Sequence, residues 1–296
     1  MTSDQSRARG GFGRRSRSTD TAATPTGGPA LSVSNLGVEF FVGGAWVAAA
    51  KHVSYDLMPG KVLAIVGESG SGKSTSSMAV MGLLPKNARV TGSAKLAGKE
   101  LIGARPEALR KVRGEGIAAI FQEPMTALNP VYTVGFQISE ALMTHRPGMT
   151  RKQAKERALE LLRLVEMPDP LKAFDSYPHQ LSGGQRQRAM IAQSISLEPR
   201  VLVADEPTTA LDVTVQAEIL DLLRGLTADE DMSLLFITHD LAVLAQIATQ
   251  AVVLERGRVV EAGEVSRLLS EPRATVTQGL LRDATATLWR GEGSDA

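Results

Sequence analysis

Cysteine is absent from the 296 residues. That excludes disulfides, and it excludes zinc or iron–sulfur sites built on thiolates; it also fits a reducing compartment. Net charge is nearly absent too. The 33 Lys and Arg stand against 32 Asp and Glu, a formal charge of +1, so bulk electrostatics gives no support for a nucleic-acid partner. No apolar run approaches the ~20 residues needed to cross a bilayer. If the chain works at a membrane, another chain is expected to hold it there. No internal repeat is visible, which points to one unit rather than a tandem pair. Large apolar side chains are almost missing from residues 1 to 29, which are mostly Ser, Thr, Gly, Arg and Pro. A segment that can bury so little cannot offset its ordering entropy and is expected to be disordered. Arg14-Arg15 resembles a twin-arginine export signal, but no hydrophobic segment follows, and a basic flexible tail is the simpler reading.

What is present is ordinary for a soluble globular protein of one or two lobes: 43% hydrophobic and 22% charged residues. The chain is organised around Gly67-Glu68-Ser69-Gly70-Ser71-Gly72-Lys73-Ser74-Thr75, which fits the phosphate-loop pattern G-x-x-x-x-G-K-[ST]. Val62 to Val66 before it is a short apolar run suited to a buried parallel strand. Thr75 through Leu84 after it reads as a helix. Glycines let the backbone wind tightly so that successive N–H groups point at phosphate oxygens, and the helix adds the positive end of its dipole. Lys73 would reach the β- and γ-phosphates, and the Ser74 hydroxyl would ligate Mg²⁺. The competing account is a glycine-rich turn with an incidental Lys; the flanking strand and helix argue against it.

Elsewhere, residues 31–40 alternate apolar and polar as a half-buried strand does. Val47 to Leu57 reads as a second strand, ended by a turn at Pro59-Gly60. Val90 to Leu101 continues a β-hairpin region, and Ile117 to Phe121 is a short buried strand. From Thr133 to Glu166 the pattern turns helical, with an amphipathic helix over 151–162 capped by Thr150. Gly184 to Ser196 is helical again. Strands at 201–204 and 233–238 then alternate with helices at 215–226 and 241–249, and a hairpin turns at Arg256-Gly257. Alternation of this kind predicts a parallel α/β core, with the helical block between about 125 and 195 as an inserted lobe.

The strand Val201-Leu202-Val203-Ala204 ends in Asp205-Glu206. A strand buried on both faces delivers its last residues to the carboxyl edge of the sheet, where ligands bind. Asp205 is placed to hold Mg²⁺ directly or through water, and Glu206 to polarise an attacking water beside the γ-phosphate. An exposed acidic strand end is the plainer alternative. Leu181-Ser182-Gly183-Gly184-Gln185 opens a helix with Ser182 as its candidate N-cap.

LSGGQ is the signature of the ATP-binding cassette (ABC) family, and the chain resembles the nucleotide-binding subunit of an ABC transporter over roughly residues 31 to 270. The diagnostic segments stand in family order: the phosphate loop, Gln122 (Q-loop), the signature, Asp205-Glu206, Ala210-Leu211-Asp212 (D-loop) and His239 (switch histidine). The resemblance implies an α/β fold: a P-loop nucleotide-binding domain over 30–270, with an inserted helical subdomain and an antiparallel β-subdomain. Residues 271–296 would form a short C-terminal extension. It also implies ATP and Mg²⁺ as ligands and a head-to-tail dimer. In that dimer the phosphate loop of one subunit faces Ser182, Gly183, Gly184 and Gln185 of the other. Gln122 would touch Mg²⁺ and the lytic water, His239 would contact the γ-phosphate and orient Glu206, and Asp212 would belong to the nucleotide-binding set. Phe40 aligns with the aromatic that stacks on adenine, although Phe41 or Trp46 could do so, and core packing competes for each.

Three phrases resemble the dipeptide, oligopeptide and nickel importers of the family: 67–74, 121–130 and 204–216. That group implies two permease subunits, a second ATPase chain, an extracytoplasmic solute-binding protein, no nucleic acid, and a peripheral position at the cytoplasmic face of the cell membrane. Val131 to Ile138 supplies apolar residues that a permease coupling helix could bury. Relatives carry a His-Pro-Tyr-Thr phrase near the end where this chain reads Ala274-Thr275-Val276-Thr277. Many relatives also have a cysteine-bearing iron–sulfur extension that a chain without cysteine cannot match. Di- or oligopeptides are the expected cargo, with nickel or another solute as the alternative. A soluble ABC ATPase acting on ribosomes or DNA is a further class, disfavoured by a single cassette without a heptad run. An exporter cassette is disfavoured by the lack of fused spans.

Overall fold

The structure, a computed structural model, describes residues 27–122, 127–209, 211–229 and 232–291. Most of the tail expected to be disordered, Glu123 to Thr126 of the importer-like phrase, Ala210 of the D-loop and the last five residues lie outside that range. Two sheets carry the architecture. The first has the order β2-β1-β4-β5, formed by β1 (Leu31–Val42), β2 (Ala45–Leu57), β4 (Ala88–Leu96) and β5 (Lys99–Glu100), all antiparallel. The second has the order β10-β9-β3-β8-β7-β6. It comprises β3 (Val62–Val66), β6 (Ile117–Ile120), β7 (Val201–Asp205), β8 (Ser233–Thr238), β9 (Gln250–Glu255) and β10 (Arg258–Glu264). Of its five pairings four are parallel, and β10 on β9 is antiparallel.

Burial on both faces explains why the central strands are continuously apolar. In β3, Leu63 and Ile65 join the core between the two sheets, while Ala64 and Val66 join the core beneath the helices. β7 and β8 divide in the same alternating way: Val201, Val203, Leu235 and Ile237 point to one side, Leu202, Ala204, Leu234 and Phe236 to the other.

The phosphate loop leads into α1 (Lys73–Met81), which begins two residues earlier than the predicted helix because Gly72 supplies its left-handed N-cap. A short helix α2 (Pro106–Val112) precedes β6. The helical lobe contains α3 (Val134–His145), α4 (Arg151–Leu164), α5 (Pro170–Asp175) and α6 (Gly183–Ile195). Thr150 caps α4 with a reciprocal bond from Gln153, the capping box. After β7 come α7 (Val213–Asp229), α8 (Leu241–Ile247), α9 (Val265–Ser270) and α10 (Thr275–Gly291). Helices α2, α5, α9 and α10 were not anticipated. Among the described residues no helix is long and apolar enough to cross a membrane.

Candidate functional site

Parallel pairing aligns the carboxyl ends of three strands. Val66 of β3 pairs with Thr238 of β8, and Asp205 of β7 pairs with Ile237 of β8. The next residues are therefore brought to one edge: Gly67 after β3, Glu206 after β7 and His239 after β8. Ile120 of β6 pairs with Ala204, which adds Gln122 two residues beyond. This is the edge at which open α/β sheets bind ligands.

The phosphate loop is shaped by backbone contacts. Gly72 has φ +97°, and a Cβ there would stand 2.5 Å from the Ala49 carbonyl oxygen of β2. Gly67, at φ +156°, is closed in by the Leu254 carbonyl in the same way. Only glycine meets both demands at these positions. The turn after β9 braces the loop, with the Gly257 N–H donating to Ser71 O at 2.9 Å.

Lys73 is 5% exposed. Its Nζ donates to the carbonyls of Gly67 (2.7 Å) and Glu68 (2.8 Å). Burial pulls its pKa down, and the nearby Glu206 and Asp205 carboxylates push it back up. The Ser71 hydroxyl is buried and has no hydrogen-bond partner among the described residues. An orphaned hydroxyl inside a loop of inward-pointing amides fits a phosphate oxygen. Glu68, Ser69 and Gly70 are exposed along the loop, and Thr75 is half-buried.

Ser74 Oγ donates to Asp205 Oδ1 at 2.9 Å. Asp205 is 7% exposed. Burial raises its pKa and so does Glu206; the Ser74 hydrogen bond and Lys73 oppose them. An alcohol and a carboxylate side by side are hard oxygen donors. They fit Mg²⁺, which takes one or two protein ligands when phosphates and water complete its shell.

Glu206 is the point on which the edge converges. Its Oε2 accepts from Gln122 Nε2 and from Thr209 Oγ1, both at 3.1 Å. Its Oε1 lies 3.2 Å from His239 Nδ1. Its backbone is left-handed, φ +47°, a conformation uncommon for residues other than glycine, and its N–H donates to the Ile237 carbonyl at 2.9 Å. Backbone and three side chains together aim this carboxylate. Thr209 was not singled out from sequence, although it stands in the quoted phrase three residues past Glu206. Asp240, also missed, caps α8 by accepting from the Ala242 N–H at 2.7 Å.

The signature lies elsewhere on the surface. Ser182 caps α6, its Oγ accepting from Gln185 N at 3.3 Å while Gln185 Oε1 accepts from Ser182 N at 3.0 Å. Ser182 and Gly183 are exposed. Among the described residues no side-chain hydrogen bond joins Ser182–Gln185 to the phosphate loop. Asp212 is exposed, and its Oδ1 accepts from the Val215 N–H at 2.9 Å, capping the first turn of α7.

Phe40 is half-buried against the inter-sheet core. Phe41 and Trp46 are exposed and pack on each other with ring centroids 5.3 Å apart. Arg89 lies over the Trp46 ring at 4.3 Å. In the expected docking segment the apolar residues divide. Val134 and Ile138 are fully buried, so only Val131, Tyr132 and Phe136 remain for a partner. Tyr132 and Phe136 stack at 4.7 Å.

Comparison with known proteins gives the family and the fold. The family described as ABC transporter matches residues 50–209. The dipeptide transport ATP-binding protein DppD of Haemophilus influenzae is 51% identical over 253 residues, covering 85% of this chain and 76% of that relative. The oligopeptide transport ATP-binding protein OppD of Mycobacterium tuberculosis is 50% identical over 253 residues, or 86% of this chain. The chain spans 41% of the length of that relative. Among solved structures, a dimeric post-hydrolysis ATP-binding cassette bound to ADP and Pi superposes with TM-score 0.71. It is 27% identical and covers 79% of this chain and 98% of that one.

Proposed function

The chain belongs to the ABC transporter family, and on that premise we propose that it binds and hydrolyses ATP at a head-to-tail dimer interface to power uptake of a solute. The observation that carries the reading is the convergence of Gln122, Thr209 and His239 on the Glu206 carboxylate, one residue from the Ser74–Asp205 pair. In this reading the phosphate loop and Lys73 hold the β- and γ-phosphates. To do so, Lys73 exchanges the carbonyls of its own loop for phosphate oxygens. Ser74 and Asp205 would hold Mg²⁺, with Gln122 beside them. Bound there, the ion would neutralise developing phosphate charge.

Glu206 accepts the proton of the attacking water, a role worth about 10²–10⁴-fold in rate. His239 and Gln122 fix its orientation, and His239 contacts the γ-phosphate. Ser182 and the N–H groups at the start of α6 form a second anion cradle that a partner chain's nucleotide completes. Asp212 flanks that cradle, and an aromatic of the β1–β2 hairpin, Phe40 by the family resemblance, stacks on adenine. Closing the dimer draws permease coupling helices together through Val131, Tyr132 and Phe136, and hydrolysis releases them.

The names of the relatives support di- or oligopeptides as cargo. Two permeases, a second ATPase chain and a solute-binding protein would complete the complex, with this chain peripheral at the cytoplasmic face. The test is a pull-down of tagged Glu206→Gln protein from native membranes with ATP. Recovery of two multi-span permeases supports the reading. Recovery from the soluble fraction with ribosomal or DNA-repair proteins overturns the transport role.

A further inference from the structure

We propose that Arg188 is a positioning residue that fastens the signature loop to the helix behind Asp212, so that both move as one arm. The consequence for catalysis rests on the dimer reading above; the fastening itself does not.

Arg188 is a charged side chain with no place in the chemistry, yet it is 6% exposed. Such burial is costly unless every donor direction is used. Its Nη2 donates to Glu218 Oε2 of α7 at 2.7 Å, its Nη1 donates to the Val165 carbonyl at 2.6 Å, and Glu166 Oε2 lies 3.7 Å away. Val165 is the C-cap of α4, where the helix dipole favours a cation. One guanidinium thus joins α6, α7 and the end of α4. Its fork serves two acceptors in two directions, which a single ammonium does not reproduce.

The helical spacing makes this a fastener between surfaces. Gly184 and Arg188 are four apart on α6 and share a face. Val215 and Glu218 are three apart on α7 and do likewise. The first pair is in close approach: a Cβ on Gly184 would stand 2.7 Å from Val215 Cγ1. The second pair is the Arg188–Glu218 bond. Val215 is also the residue whose N–H Asp212 caps. From Ser182 to Arg188 on one helix and from Asp212 to Glu218 on the other, two rungs hold the elements in register. Neither loop shifts without breaking the Arg188–Glu218 ion pair, whose arginine is buried, or opening the Gly184–Val215 contact. The third partner, Val165, ties this arm to the end of α4.

Hydrogen exchange on the isolated chain tests the fastening. In Arg188→Lys, and more mildly in Glu218→Gln, whose side chain is half exposed, the amides of 185–188 and 215–218 should exchange together, roughly tenfold faster in the Lys variant. Those of the phosphate loop and α1 should keep their rates. Loosening of only one segment, of neither, or of α1 to the same degree overturns the proposal. A second readout separates positioning from folding. In the Glu206→Gln background, adding Glu218→Gln should raise the ATP concentration needed for half-conversion to dimer, with ATP affinity of the monomer unchanged. An unchanged requirement contradicts the positioning role. If Glu206→Gln alone stays monomeric, the dimer reading fails, and the exchange pattern still decides the fastening.

Discussion

Two glycines of the phosphate loop share a positive φ but differ in what surrounds them, and that difference makes a quantitative prediction. Gly70 has φ +76° with nothing within 4 Å of an added Cβ. Gly72 has φ +97°, and its Cβ would stand 2.5 Å from the Ala49 carbonyl oxygen and 3.4 Å from Gly257 Cα. Both neighbours are backbone, and they belong to segments pinned together by the Lys51 N–H donating to Gly257 O at 2.6 Å. Gly70→Ala should therefore cost only left-handed strain, about 1–2 kcal/mol. Gly72→Ala should add overpacking of about 1–3 kcal/mol, because a backbone wall yields less easily than a side chain. At about 2–4 °C per kcal/mol for a domain of this size, Gly72→Ala should melt several degrees below Gly70→Ala. It should also bind ATP more weakly, because the displaced wall braces the loop. Thermal unfolding followed by circular dichroism, with a titration of fluorescent ATP, measures both. A Gly72→Ala protein that melts no lower than Gly70→Ala would refute the steric reasoning.

Other perturbations follow from the same geometry. Lys73→Ala should abolish detectable ATP binding in the fluorescence titration; retained affinity would contradict the role given to Lys73. Glu261 is 8% exposed and accepts from Ala274 N (3.0 Å), Arg273 N (3.2 Å) and Thr277 Oγ1 (2.8 Å). Burial pushes its pKa up, but those hydrogen bonds and Arg267 outweigh it and hold the group below the usual carboxylate range. A depressed acid stabilises the fold above its unfolded pKa and loses that contribution as pH falls through the folded one. Glu261→Gln should thus cost about 1 kcal/mol at neutral pH, as a lost cap does. The deficit should shrink when melting is repeated below the carboxylate range, and a pH-independent deficit would contradict the assignment. Phe136→Ser should leave ATP hydrolysis by the isolated chain intact and abolish co-purification with a permease; unchanged co-purification would place the docking surface elsewhere.

The phosphate loop, the Asp205-Glu206 strand end and the signature cap were legible because each is a local pattern whose geometry follows from adjacent residues. The sheet order was not, because register across β3, β8, β7 and β6 is set by crossovers far apart in sequence. Hence the bonds from Gln122 and Thr209 to Glu206 had to be seen, and the His239–Glu206 contact was expected only through the family resemblance. α2 and α5, seven and six residues long, are too short to show a helical period. The stretch Ala274-Thr275-Val276-Thr277 read as a departure from the importer phrase, yet it shares the final Thr. That hydroxyl is the one bound to Glu261, at the start of a helix the sequence did not suggest. The aromatic expected to stack on adenine stayed ambiguous because β1 carries register shifts between Val33 and Glu39, which break the alternation that would have assigned faces to Phe40 and Phe41.

The most direct measurement of the central claim is the mass of Glu206→Gln protein in solution by light scattering, with and without ATP and Mg²⁺, alongside its rate of phosphate release. The account predicts a monomer that ATP converts to a dimer, with hydrolysis lowered by at least about 10²-fold. Hydrolysis near the unsubstituted rate would contradict the assignment of Glu206 as the base. A monomer at saturating ATP would contradict a nucleotide-closed dimer of this chain.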